Sequence, residues 1–571
     1  MADLLQDIPE AAFRSMGLAE RLDACSRSIM LNGMQRPGSM YWPHFLIWAM
    51  NFSGFATLVW LLPPPADEPA DAHQRLIFAK FLVWQHMCEA IGVRQGPLSG
   101  HMGWPNNWRF RLSIGTLKHA QVRWLGQKRN MADLLVHVSF FLCCACFLLS
   151  GTYSFFWIRM LCTCDAWIFC SDLTQFFAST GHAYYTMLLS ACFPPESGQL
   201  SGMQLALIVQ WFFAGVGKVG PWFSYVTGPF ILQSPRIFAG RRWLFNLLVR
   251  SPDDLSPTSL SKWIGHAATV VECTAPLALM CPKPACIWAG LVGLVGMHLL
   301  ILVMPAPIDV YAWNTSYASC GIYLFGVASF GFDFAGLASM SPLLAAVLLS
   351  EICICWYGQF FPEQVGHNLS HRHWAGNWVQ TIFLTRRCPS VHAKLGRVKT
   401  FSRLQLRPAG ELPKDELHLS RLLQYSDWAY LWLGTLNMKC FPSLVQQALY
   451  LAGGATINEY EFMPLAAYCC GEFRDNLYVE PVLPAIQQVV GFEDGECLMV
   501  RIGAFGLGPG PAKWRILDLK RGVLAHGELT RTGLASMHAL PSASSDPSLK
   551  LPSSRHSEGG GGGNSEPLLG A

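Results

Sequence analysis

Charge is scarce in this chain. Only 14% of its 571 residues are Asp, Glu, Lys or Arg, against roughly 25% in soluble domains, while 51% are hydrophobic and the mean hydropathy is +0.28. So little charge excludes a soluble protein of this length and points to a multi-spanning membrane protein. The net charge is +4 and no basic stripe with interleaved aromatic residues occurs, which excludes a nucleic-acid partner. The N-terminal residues also argue against a removable signal peptide. The first 40 residues mix Arg14, Arg21, Arg27 and Arg36 with acids and hold no short apolar core before a small-residue cleavage site. The first span is therefore expected to direct insertion. No segment recurs at a fixed spacing, which argues against a transporter assembled from two related halves. Beyond residue 395 there is no phosphate-loop pattern and no CxxC pair.

Apolar runs are what the chain has in abundance. Crossing ~30 Å of hydrocarbon takes about 20 residues, and candidate spans fall at 45–62, 76–92, 133–151, 155–173, 176–193, 203–222, 264–281, 285–304, 317–334 and 342–361. The second, fourth and fifth are the most polar, carrying Lys80 and Glu89, Arg159 and Asp165, and His182. The N-terminus, segments 93–131 and 235–262, and everything after 372 are basic and should share the cytoplasmic side. Ten spans with both termini cytoplasmic satisfy that parity, and they put the acidic loop 63–73 outside. Many of the twenty cysteines lie within these runs, including Cys143, Cys144, Cys162, Cys164 and Cys355, where they read as small hydrophobes. Cys143 and Cys146 form a CxxC, but their surroundings are too apolar for a redox or metal pair.

The pattern changes after Arg386. Residues 395–540 combine a possible amphipathic helical stretch, Leu417 to Leu451, with alternating runs such as CLMVRIGAF and KWRILDLKRGVLAHGEL, which predict strands. The tail, rich in Ser, Pro and Gly, cannot bury a core. The expected architecture is mostly α: a cytoplasmic N-terminal segment (1–44), a polytopic transmembrane helical bundle of about ten spans (45–386), a small cytoplasmic α+β module (387–540) and a disordered tail (541–571).

Within that bundle Lys218 stands out. It is the only charged side chain in the 31 residues from Gly202 to Leu232. A lysine near the middle of a span costs roughly 2.5–3.5 kcal/mol, so it should face the bundle interior or a wet cavity. Ala214, Gly215, Gly217, Gly220 and Pro221 around it would let backbones approach closely and let the helix loosen. Glu272 likewise sits well inside its run, and the two can form either a structural ion pair or a site in which a desolvated lysine is a base or nucleophile. His298 lies on an apolar helix beside Gly290, Gly293 and Gly296, which mark close helix contact. Lys218, Glu272 and His298 are thus the candidate catalytic residues. Trp211, Trp222, Asp309, Trp313 and Asn314 are the candidate substrate-binding residues. Arg159 and Asp165 are expected to neutralise one another or to reach the interface, and Asp172 to serve as a cap or partner. His367, His371 and His373 in GHNLSHRHWAGNW have the spacing of a histidine box, but one cluster cannot supply the ligands two irons need, so no metal site is expected.

Several ordered segments resemble a known family. They are GPLSGHM at 96–102, QLALIVQWFFAGVGKVGPWF at 204–223, RSPDDLSPTSL at 250–260, HAATVVECTAPLAL at 266–279, the run ending in AWN at 314, and AGNW at 375–378, followed by LPAIQQVVGFEDGE and WRILDLKRGVLAHGEL. The resemblance is to the multi-spanning transmembrane family catalogued as domain of unknown function 3556. It implies a shared fold and brings no activity. GEFRDNL at 471–477 and HNLSHRH before AGNW depart from the family pattern. More distantly, AGVGKVGPWF is similar to a signature in the vitamin K-dependent carboxylase and horizontally transferred transmembrane superfamily. There the lysine is implicated in base chemistry with a quinone, and only Lys218 and its immediate surroundings carry over.

The expected function is an integral-membrane enzyme acting on a lipid-soluble substrate, a quinone or acyl lipid. Lys218 would be base or nucleophile, with Glu272 tuning it and His298 and Asp309 binding substrate or relaying protons. A carrier or binding protein for a small or lipidic ligand, or a membrane scaffold, are the alternatives. The bilayer and the lipid-soluble ligand are the expected partners, and the residues name no cofactor.

Overall fold

The computed structural model describes residues 8–32, 42–63, 70–93, 106–118, 120, 122–172, 176, 181–194, 197–232, 241–303, 310–365, 369–372, 375–395, 432–462 and 483–533. The chain is mostly helical up to residue 360 and closes on an antiparallel sheet. The helices used below are α1 (Leu18–Asn32), α2 (Trp42–Leu61), α3 (Ala70–Ala90), α4 (Met131–Leu149), α5 (Phe155–Ser171), α6 (Gly181–Cys192), α7 (Ser197–Gly217), α8 (Phe223–Leu232), α9 (Ser259–Leu279), α10 (Pro284–Val303), α11 (Val310–Ile322) and α12 (Pro342–Phe360). Their starts are chemically marked. Asn130 and Asp133 cap each other's backbone N–H at the head of α4, at 3.1 and 3.0 Å. Thr258 caps α9 and Ser341 caps α12, each side-chain oxygen accepting a backbone N–H at 3.2 Å.

Each of the ten expected spans contains a helix, but among the described residues only four helices are long and apolar enough to cross a membrane. They are Met131–Leu149, Gly198–Gly217, Pro284–Leu302 and Pro342–Phe360, and Leu46–Leu61 and Phe223–Leu232 are shorter apolar helices. This corrects the expectation of about ten spans. α6 and α11 are too short, and α3, α5 and α9 place charged residues among their apolar ones. Of the four, the α7 window is 72% buried and the others 28–39%. α7 is thus the central span, packed against α6, α9 and α12. Leu142, Val292, Leu299 and Leu349 stand exposed on the outer helices, as lipid-facing residues would.

The 31-residue stretch around Lys218 is two helices. α7 ends at Gly217, and five residues of turn, with Gly220 at φ +123°, precede α8. Lys218 therefore stands at a helix end and not in the middle of a span, and a cation near a helix C-terminus is favoured by the helix dipole.

The sheet has the strand order β2-β1-β3-β4-β5, every pair antiparallel. Its strands are β1 (Gln380–Arg386), β2 (Tyr460–Phe462), β3 (Cys497–Ile502), β4 (Ala512–Asp518) and β5 (Gly522–Leu529). The pleat sends alternate residues to opposite faces. Ile382, Leu384, Leu498, Val500 and Ile516 join one core with Phe441 and Leu444 of helix α13 (Phe441–Leu451). Phe383, Cys497, Met499 and Leu517 join another with Leu483 and Ile486 of helix α14 (Leu483–Val490). β1 lies on the N-terminal side of the boundary expected at 386. α1 packs Leu22, Cys25 and Ile29 into the first core, and Arg21 donates to Asn458 Oδ1 at 2.5 Å, so the N-terminal segment is built into the module. The tail after 533 and the first part of the stretch from Leu417, up to 431, lie outside the described residues.

Candidate functional site

Glycines set the spacing of the site. A Cβ on Gly215 would stand 2.8 Å from the backbone of Glu272 and Cys273, so only glycine lets α7 and α9 come this close. Glu272 lies four residues before Pro276, which has no N–H to donate to the Glu272 carbonyl, so the α9 ladder is open beside the carboxylate. Lys218 Nζ donates to Glu272 Oε2. The two side chains are 9% and 8% exposed. The ammonium also lies 4.9 Å from the centre of the Phe223 ring. Charge, hydrogen bond and ring together neutralise a lysine that would otherwise be costly here.

His298 forms a second centre. Its Nε2 is 2.8 Å from Trp211 Nε1 and its Nδ1 is 2.7 Å from Asn314 Oδ1. An indole N–H can only donate, so Nε2 accepts. The neutral imidazole then carries its proton on Nδ1 and donates it to Asn314. Both ring nitrogens are thus engaged, and the contact ties α7, α10 and α11 together. Trp211 is seven residues before Lys218, about 10 Å along a helix axis. The structure therefore sets the Lys218–Glu272 pair and the Trp211–His298–Asn314 set as two centres along α7. Trp313 is half-buried against the bundle core. Trp222 turns toward the module instead and stacks on Phe505, with centroids 5.3 Å apart and planes 13° apart. Asp309, His367 and His373 lie outside the described residues.

Several buried ion pairs have no counterpart in the sequence reading. Lys118 Nζ donates to Asp133 at 2.7 Å, Arg129 pairs with Asp172, and His86 Nε2 lies 3.0 Å from Asp165. Arg159 donates to the Cys192 carbonyl at 3.1 Å, so of the two expected outcomes for Arg159 and Asp165 the mutual pairing does not occur; six residues apart on one helix, the two point to different faces. Arg111, Lys118 and Arg129 belong to the basic segment 93–131, yet they are 3%, 1% and 2% exposed. The sequence signal for this burial is the acids at Asp133 and Asp172, which need partners wherever their helices are buried. Arg372, inside the histidine-rich segment, is 2% exposed and donates to the Phe505 carbonyl at 2.8 Å. Burial, with the Arg531 charge nearby, pulls its guanidinium down to about 9. His371 just before it is the one described non-glycine residue with positive φ, 54°. Among the described residues no group of three or more His, Cys, Asp or Glu could hold a metal ion.

A helical bundle with a buried charged pair and an outer apolar surface, joined to a small α+β module, is the build of an integral membrane protein. The chain belongs to the family described as transmembrane protein of unknown function, DUF3556, which matches residues 1–544. No curated protein and no solved structure matches it, and the likeness to the carboxylase superfamily gains no support.

Proposed function

We propose that this membrane protein acts on a lipid-soluble substrate, a quinone or acyl lipid, at the Lys218–Glu272 pair. The observation that carries the reading is that contact itself: one ammonium and one carboxylate, both buried, meeting where α7 breaks and where Pro276 opens α9. A proton donor and a proton acceptor already in contact can exchange a proton with a polar head placed between them, which neither could do alone in an apolar interior. Lys218 supplies the positive charge that draws an electron-rich carbonyl or headgroup oxygen, and Glu272 balances that charge when the site is empty.

A carrier or binding protein is the second reading. It is favoured by His298, whose two nitrogens are taken by Trp211 and Asn314, leaving no lone pair to relay protons.

The test is reconstitution of the full chain into liposomes made from a total lipid and quinone extract, with the pools followed by mass spectrometry. Formation of a new species by wild type and not by Lys218→Met supports the enzyme. Redistribution of an unchanged species between leaflets supports the carrier, and no Lys218-dependent change of either kind refutes both.

A further inference from the structure

Arg372 carries more donors than the described structure uses. Its Nη2 donates to the Phe505 carbonyl, but Nε and Nη1, three N–H groups in all, are enclosed and have no hydrogen-bond partner. Among the described residues the one charged group that acts on it is Arg531, another cation. Buried polar groups are almost always hydrogen-bonded, and buried charges are paired. Among the described residues this guanidinium has one carbonyl acceptor and no acid, and an anion is the group that would answer both its charge and its remaining donors.

A second cation holds the same loop. Arg531 is exposed on the module surface and donates to the Gly506 and Gly508 carbonyls at 2.7 and 2.9 Å. It lies 5.8 Å from the ring centres of both Trp222 and Phe505. Arg372 and Arg531 therefore hold the same short loop, one from within and one from the surface. Close backbone approach is possible on the membrane side as well: a Cβ on Gly217 would stand 3.1 Å from Arg372 Cγ, and one on Gly376 would stand 2.6 Å from the Trp222 carbonyl oxygen.

We propose that Arg372 and Arg531 form a binding site for a phosphate group where the C-terminal module meets the break after α7. Two cations with no acid beside Arg372 among the described residues match the charge of a phosphate better than the single charge of a carboxylate, and guanidinium donors suit its oxygens. The place is distinct from the Lys218–Glu272 pair. The phosphate can belong to a lipid headgroup or to a free solute, and the two sources share this chemistry.

Thermal unfolding of the full-length protein tests the site. Inorganic phosphate is titrated in an uncharged detergent against sodium chloride of equal ionic strength, and nanodiscs of phosphatidylcholine are compared with and without phosphatidic acid. A saturable rise in Tm with phosphate assigns the site to a solute, a rise with phosphatidic acid alone assigns it to a headgroup, and either supports the proposal. Arg531→Gln, at an exposed position where folding should survive, is expected to weaken binding roughly tenfold or more. Arg372→Gln should abolish the response while leaving the ligand-free Tm unchanged or higher, because it removes an unpaired buried charge. No saturable rise in wild type overturns the proposal. So does a strong fall in ligand-free Tm for Arg372→Gln, which would show that an acid of the chain itself pairs with Arg372.

Discussion

Trp211 on the central helix donates its indole N–H to His298 across 2.8 Å, and that one bond fixes the tautomer of a histidine shared by three helices. Trp211→Phe keeps an aromatic ring, smaller than the indole, and deletes the donor, leaving Nε2 a buried acceptor without its partner. The expected loss is about 1–3 kcal/mol of stability in chemical unfolding of the solubilised protein. A double-mutant cycle with Asn314→Leu should be non-additive, since both changes act on the same imidazole. Additive losses would mean that the two bonds are independent.

Gly215→Ala puts a methyl group 2.7 Å from Cys273 Sγ and 2.8 Å from the α9 backbone, which must then move. The expected cost is about 1–3 kcal/mol, typical of an overpacked interior. Gly296→Ala is the control, because a Cβ there meets nothing within 4 Å and should cost almost nothing. Thermal unfolding of the two variants side by side checks the difference.

The sequence shows the helical class, the lone lysine and its acidic partner, because a charge inside an apolar run is visible without a fold. Gly217, Gly220 and Pro221 are local signals that the helix can loosen near Lys218, but a run this apolar reads as one continuous span, and the end of α7 at Gly217 is seen only in the fold. What else the sequence hides is long-range. Lys118 and Arg129 look like loop charges until the acids of α4 and the end of α5 come to meet them. Trp222 reads as a pocket residue until Phe505, far along the chain, stacks on it. QTIFLTR reads as the end of the bundle because a central strand is defined by its neighbours, here β2 and β3, and not by its own pattern.

Lys439 gives the module a pH dependence. Burial pulls its ammonium down to about 7, opposed by the charge of Asp23. The Trp432 ring, 4.2 Å from Nζ, also favours the charged form. Between that value and its ordinary 10.5 the unfolded chain binds a proton that the folded chain has released, so stability should rise with pH across this window and level off below it. Lys439→Met should flatten the rise in an unfolding series from pH 6 to pH 9.

Leu22 is fully buried in the module core although it belongs to α1. Leu22→Ala should cost about 2–5 kcal/mol and should loosen the module rather than the bundle. Limited proteolysis of the full chain checks this. Faster cleavage after residue 432 with an intact bundle is the expected pattern, and cleavage confined to the N-terminal helix would show that the two fold separately.

The account turns on whether the Lys218–Glu272 contact does chemistry or only closes a gap between helices. Lys218→Met alone leaves Glu272 buried without a partner and should destabilise the protein by about 3–5 kcal/mol, whereas Lys218→Met with Glu272→Met removes both charges and should restore much of that loss. Lipid-pool turnover by this folded double variant in liposomes is the decisive measurement. The account predicts a stable protein that leaves quinones and acyl lipids unchanged. A double variant that turns them over as wild type does would contradict it and reduce the pair to scaffolding.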